Sequence, residues 1–422
     1  MQGIFKTKTV ILFVVFLELY GWMLSLAFGS RSVVLVDDII SICALLIVLF
    51  FLAHRGKVKR AILNTPLIYF LIVFSISMII NFVQIDIALM QLRSYILMIS
   101  LYYLILWSNV SNKEILSIFK VILLLFIPVF LSAIFEYTIG ENILVSQDRY
   151  GQDFSEGGVF RSHSLIGNPI DYANYAIIIM SILLPSIILK YKLFFSKKNN
   201  YIVFILMFMT LFMANSKGPV LAIILSLMVM SFYLRFLTIR GVVYSLILLV
   251  VIGITMGDLL IDRFTNAHFG SDSDYRVLYL IKTIEVFSDY PVFGIGPGMY
   301  GGWVSINYSP SYVYDLYDFS TDRISSIDMF FPHLIGELGL LGFFSYMLFF
   351  IRPFQYFKNI FKRSDIKEVQ FVSLISLLVI PMLFLIGWFS IALENQMIIS
   401  LYFILIGLSE KFVKNKGKLK DD

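Results

Sequence analysis

Apolar runs recur along this chain near 8–28, 33–53, 66–84, 93–109, 115–138, 168–190, 200–215, 219–239, 241–257, 329–351, 370–391 and 394–410. Crossing about 30 Å of hydrocarbon takes roughly 17–25 helical residues. Lipid offers the backbone no hydrogen-bond partner, so only helices and closed barrels are admitted there. Runs of this length specify helices. The expected fold is therefore all-α: a polytopic integral membrane protein of about 12 transmembrane helices. Composition agrees, with 59% hydrophobic residues, 14% charged and a mean hydropathy of +0.87. The single cysteine excludes a disulfide framework. The first run follows only Lys6 and Lys8 and lacks a small-residue cleavage site, so it reads as a retained helix.

Charge orients the helices. With a cytoplasmic N-terminus, every second connection is also cytoplasmic. Those connections carry His54-Arg55-Gly56-Lys57-Val58-Lys59-Arg60, Lys113, Lys190 to Lys198, Arg235 and Arg240, then Lys358 to Lys367. The tail adds Lys411, Lys414, Lys416, Lys418 and Lys420. Basic residues in short loops on one side are what the positive-inside bias requires. The net charge of +5 is then mostly anchoring, and it gives no support to a nucleic-acid partner. Both termini are expected in the cytoplasm. Residues 1–257 carry helices one to nine, with an outer loop at 139–167, and 258–328 form a large extracytoplasmic loop between helices nine and ten. Residues 329–410 hold the last three helices, and 411–422 a basic tail.

Several cations stand on the outer side against that bias: Arg149, Arg161, Lys217, Arg263, Arg276, Lys282 and Arg323, with Arg93 at a helix end. Singly, each suits a solvated loop or a side chain reaching the headgroups. Together they suit a phosphate-bearing ligand, which guanidinium holds bidentately. Asn168-Pro169 forms a helix start, a cap residue followed by proline in the first turn. Arg161 and His163 lie just upstream of that N-terminus, whose dipole favours anions.

Residues 276–287 have helical spacing with Val277, Leu280, Ile281 and Ile284 apolar, which predicts an amphipathic helix at the outer interface. Gly294-Ile295-Gly296-Pro297-Gly298 lacks the lysine-serine of a phosphate loop and reads as a tight turn. Asp272-Ser273-Asp274 has the spacing of a metal-binding acidic pair, but two carboxylates rarely suffice, so no metal is expected. Asp328 stands where loop becomes helix, either capping it or serving as the base of an outward-facing cleft. His333 lies five residues on, about 140° round the helix. Gly336, Gly339 and Gly342 read as a close-packing stripe. Glu18, in mid-helix, is a functional candidate by its cost in hydrocarbon.

The motifs in this order resemble the bacterial O-antigen ligase and O-antigen (or capsule) polymerase superfamily. They are Gly167-Asn168-Pro169, Ser216-Lys217-Gly218, an arginine-bearing helix at Arg276, Pro-x-x-Gly-x-Gly-Pro-Gly at 291–298, and Glu337 with Gly339 and Gly342. The resemblance spans about 160–350. Where lipopolysaccharide ligases carry histidine, eleven residues before Gly339, this chain has Asp328, so it is more similar to the polymerase branch. Lys217 replaces the commoner arginine.

The resemblance implies a GT-C-like membrane glycosyltransferase of the bacterial inner membrane, working without cofactor or metal. Its donor would be a polyprenyl-pyrophosphate-linked glycan and its acceptor the next lipid-linked repeat unit. A flippase and a chain-length regulator would be its protein partners. Arg161, Lys217, Arg276, Arg93 and Arg263 are the residues expected to hold pyrophosphate, with Asp328 and then His163 as base. The alternatives are a ligase, a flippase or other transporter, and a non-catalytic scaffold. The sequence shows no inverted repeat or paired broken helices, which weighs against transport.

Overall fold

The computed structural model describes residues 7–28, 39, 41–46, 61–141, 160–192, 197–234, 275–308 and 329–418. Among these residues the protein is helical with no strand. The helices are α1 (Thr7–Phe28), α2 (Asn64–Ile80), α3 (Ile85–Ile96), α4 (Ile99–Trp107), α5 (Asn112–Ile139), α6 (Pro169–Ile188) and α7 (Lys197–Met213). They continue as α8 (Lys217–Leu234), α9 (Tyr275–Asp289), α10 (Trp303–Tyr308), α11 (Phe330–Arg363), α12 (Lys367–Ile386) and α13 (Gln396–Lys418). Six described helices, α1, α5, α6, α11, α12 and α13, are long and apolar enough to span a bilayer. The bent pair α3–α4 makes a seventh if it counts as one span. The chain is an integral membrane protein. The expected runs 33–53 and 241–257 lie wholly or mostly outside the described residues.

Local chemistry sets the helix ends. Ser111 and Glu114 form a reciprocal capping box at the start of α5, and Gly140 ends that helix in a left-handed conformation. Asn168 Oδ1 accepts from the amides of Ile170 (2.9 Å) and Asp171 (3.1 Å), with Pro169 at the first turn of α6, as its sequence predicts. Buried side chains of α6, α12 and α13 form the centre of the bundle, whereas α2 and α7 leave Ile68, Ile72, Ile205 and Met209 on the outside, where lipid would lie.

Cross-links separate the bundle's two ends. At one, Lys411 Nζ donates to the carbonyls of Ser108 (2.6 Å) and Leu106 (3.2 Å), and Asn415 reaches Val110 and Asn112. Glu410 there accepts from the Tyr102 hydroxyl at 2.5 Å and pairs with Lys414 at 2.7 Å. The residue-411 boundary of the basic tail falls inside α13, which runs on to Lys418. At the other end the C-terminus of α12, the N-termini of α6, α8, α11 and α13, and the 291–302 segment meet.

Two expectations change here. The run 93–109 is not one straight helix: α3 and α4 bend by 56° where they join. The glycine stripe of α11 is not simply a packing surface, because Gly339 has φ 63° and ψ −163° and interrupts the helix. Interrupted helices are therefore present among the described residues.

Candidate functional site

The interruption at Gly339 strands backbone groups on both sides, and a segment from the neighbouring loop satisfies them. Leu340 and Leu341 donate their amides to the carbonyls of Pro291 (3.0 Å) and Val292 (3.2 Å). In return Ile295 and Gly296 donate to the carbonyls of Gly336 (3.0 Å) and Glu337 (3.0 Å). The α2 terminus closes the far side, Ser77 donating to Phe293 O and Asn81 to Gly294 O. A buried polar backbone must find such partners. The Pro-x-x-Gly-x-Gly-Pro-Gly motif is thus more than a turn: its glycines let two backbones touch. A Cβ on Gly294 would lie 2.3 Å from the Glu337 carbonyl carbon.

Directly behind this stitch sits a buried charged cluster. His333 and Glu337 are one turn apart on α11, with Nε2 and Oε1 separated by 3.0 Å and both side chains fully buried. The other ring nitrogen, Nδ1, is in close contact with Oε1 of Glu394, from the loop between α12 and α13. The Tyr95 hydroxyl donates to Glu337 Oε2 at 2.7 Å, tying α3 to α11. The loop after the glycine motif roofs the imidazole. Tyr300 stacks near it, and a Cβ on Gly302 would lie 2.5 Å from the ring. Removing one partner from a buried carboxylate is costly. Tyr95→Phe should lower stability by about 1.5–3 kcal/mol, the worth of a hydrogen bond to a charged group, read as a fall in the melting temperature of detergent-extracted protein.

The loop 387–395 is where the separate motifs converge. Phe331 and Phe330 donate their amides to the carbonyls of Gly387 (3.1 Å) and Ser390 (3.3 Å). Phe389 packs against Gly218, beside Lys217 at the start of α8. Asn395 donates to Asp171 at 2.8 Å, on the first turn of α6. The Gly-Asn-Pro start, the Ser-Lys-Gly turn and the α11 histidine therefore share one connector.

On the far side of α6, Glu136 of α5 organises residues 162–164. Its Oε2 accepts from Ser162 Oγ (2.7 Å) and the amides of His163 (3.1 Å) and Ser164 (2.8 Å). This holds Ser164 at a φ of 56°. The Ser162 amide donates to Met213 O at 3.0 Å and Arg161 Nε to Ala214 O at 3.3 Å, clamping this segment to the end of α7.

The residues expected from the sequence fall into groups. Arg161 and Lys217 are brought to the same turn, since Arg161 binds the carbonyl three residues before Lys217. His163 is fully buried, its Nδ1 2.7 Å from Ser164 O and 3.8 Å from Glu136. That position suits holding the 161–164 segment better than meeting a substrate. Arg93 sits two residues before Tyr95 on α3, about 200° round the helix, so it faces away from Glu337. Arg276 lies in α9, the helix expected there; Tyr279 and Thr283 of that helix are buried, Thr283 Oγ1 lying 2.9 Å from the Tyr300 hydroxyl, while Leu280, Ile281 and Ile284 are exposed. Asp328, Arg263 and Asp272-Ser273-Asp274 lie outside the described residues. Sequence reasoning missed Glu394, Glu136 and Tyr95. Glu136 carried a usable signal, an acid in an otherwise apolar stretch of a spanning helix.

A protein-family model described as O-antigen ligase matches residues 202–347. The matched segment covers roughly a third of the chain and includes Lys217, α9, the glycine motif and the Gly339 break. The chain is similar to that family of membrane enzymes. Arg161, Glu136 and Glu394 lie outside the match. No curated protein matches the chain.

Proposed function

We propose that this protein is a membrane glycosyltransferase that joins polyprenyl-pyrophosphate-linked oligosaccharide repeat units into a polysaccharide such as an O-antigen or capsule. The observation that carries the reading is the meeting of Arg161, Lys217 and the His333 cluster round the 387–395 loop, at one end of the bundle. By the positive-inside argument this end faces away from the cytoplasm, so the reaction belongs to the outer leaflet of the cytoplasmic membrane, with both termini inside. Pyrophosphate is already a good leaving group. The protein's task is to hold it, offset its charge as it departs, and take a proton from the attacking hydroxyl. Arg161, Lys217 and Arg276 are proposed for the first task. Arg263 and Arg93 are weaker proposals, Arg93 because it faces away from Tyr95. Asp328, at the position where ligases carry histidine, is the sequence's candidate for the proton acceptor, and buried His163 is a positioning residue.

The ligase reading draws on the description of the matching family and differs only in its acceptor. Purified protein given lipid-linked repeat units alone separates the two. Chain growth without added metal is expected of a polymerase, whereas growth only with a different lipid or protein acceptor would mark a ligase. Arg276→Ala is expected to abolish polymer while leaving single repeat units and normal protein levels. Long polymer from that variant would remove Arg276 from pyrophosphate binding. Transport is the weaker reading. Carriers line their substrate path with broken helices, whereas here the Gly339 break is filled by the chain's own 291–296 backbone.

A further inference from the structure

Among the described residues, the α12–α13 loop places a carboxylate against the buried His333. We infer that Glu394 accepts the acceptor hydroxyl's proton, with His333 as the residue that positions it; the inference rests on the glycosyl-transfer reading above. A base must reach substrate. Of the three charged members of the cluster, His333 and Glu337 are completely covered, and only Glu394, at 9% side-chain exposure, keeps accessible surface. Its loop lies beside the residues proposed to hold the donor. The neighbouring Asn395 binds Asp171 at the start of α6, and Phe389 of the same loop packs on Gly218, next to Lys217.

The rest of the cluster behaves as a support for that carboxylate. The imidazole lies between two carboxylates, Glu337 behind and Glu394 in front, and the Tyr95 hydroxyl fixes the rear one. A buried charged cluster contributes little net stability compared with an apolar replacement, so packing alone does not call for one here. One turn before Tyr95 on α3, Gln91 is also fully buried.

In the step proposed, the acceptor hydroxyl oxygen forms a bond to the anomeric carbon of the donor sugar. The bond from that carbon to the pyrophosphate oxygen breaks, and its electron pair leaves with the polyprenyl pyrophosphate. The hydroxyl proton passes to the Glu394 carboxylate and then to water. Lys217 acts on the leaving group and Glu394 on the nucleophile, so the two functions separate experimentally.

Azide provides the separation, because it attacks the anomeric carbon without a proton to lose. Purified wild-type, Glu394→Gln and Glu394→Asp proteins would be given a lipid-linked donor with either a repeat-unit acceptor or sodium azide. Glutamine keeps an oxygen for His333, and a melting curve checks that each variant is folded. The expected result is a drop of about 100-fold or more in kcat for hydroxyl transfer by Glu394→Gln, the scale of general-base catalysis. Its donor KM should stay within about threefold, its glycosyl azide formation should match wild type, and Glu394→Asp should recover part of the hydroxyl transfer. A Glu394→Gln protein that keeps more than about a tenth of hydroxyl transfer overturns the assignment. Equal loss of both transfers also overturns it, by making Glu394 structural. Wild-type protein that transfers to neither nucleophile overturns the glycosyltransferase reading itself, and the Glu394 assignment with it.

Discussion

Gly339→Ala is expected to destabilise the protein by roughly 3 kcal/mol or more. The first cause is conformational. At φ 63° and ψ −163° the residue occupies a region essentially reserved for glycine, and forcing a side chain there costs about 1–3 kcal/mol. The second is steric: the new Cβ would stand 2.4 Å from the carbonyl carbon and oxygen of Val292 and 2.6 Å from the Phe293 amide. Backbone cannot rotate aside as a side chain does, and overpacking of this kind costs about 1–3 kcal/mol again. Moving the 291–296 segment away would forfeit the four amide–carbonyl bonds that seal the break. It would also lift Tyr300 and Gly302 off His333, so lost activity should accompany lost stability. Gly21→Ala is the control, since nothing lies within 4 Å of its added carbon. Equal melting temperatures for the two variants in detergent would show that the break is not a strained, sealed junction.

The way this junction escaped a reading of the sequence is instructive. Three glycines at a spacing of three have the look of a smooth helix–helix contact, and hydropathy passes through Gly339 without a dip. Only the partner segment, more than forty residues upstream, turns the middle glycine into a helix break. The motif at 291–298 was legible as something glycine-dependent, but not as the seal of another helix. The starts of α6 and α9 were legible because their determinants are local: Asn168 caps its own helix, and α9 declares itself by periodicity. The charged cluster is the opposite case. Tyr95 and Glu337 are 242 residues apart, and His333 and Glu394 are 61 apart. No spacing rule connects them. Glu394 sits between two apolar runs, where an acid looks like an ordinary turn residue, and only helix packing gives it a histidine. Arg161 and Lys217 fall in between. Their sign against the positive-inside bias marked them individually, and the hydrogen bond from Arg161 to Ala214 O joins them.

Lys217→Ala should cut glycosyl transfer by about 100- to 1000-fold, the usual consequence of removing one group that stabilises developing charge. Lys217 is the first residue of α8, where the helix dipole already presents positive potential, and a cation there works against the dipole. Such a placement is reasonable where an anion must be bound. Arg161 is held nearby through the α7 carbonyl, supplying a second cation from a different element. Because both are proposed to act on the pyrophosphate, Lys217→Ala should depress transfer to azide as strongly as transfer to a sugar hydroxyl, the reverse of the Glu394→Gln pattern. Lys217→Arg should keep most of the activity, since guanidinium carries the same charge and adds a bidentate grip on phosphate. The double variant with Arg161→Ala should lose less than the product of the two single losses, as expected of residues that share one ligand. A Lys217→Ala protein that polymerises normally would remove this residue from the donor site. Loss confined to hydroxyl transfer would instead move it to the acceptor side. Those two outcomes would divide the chemistry of the 387–395 loop, leaving-group stabilisation going to Lys217, which is next to Gly218 where Phe389 packs, and proton acceptance to Glu394 beside His333.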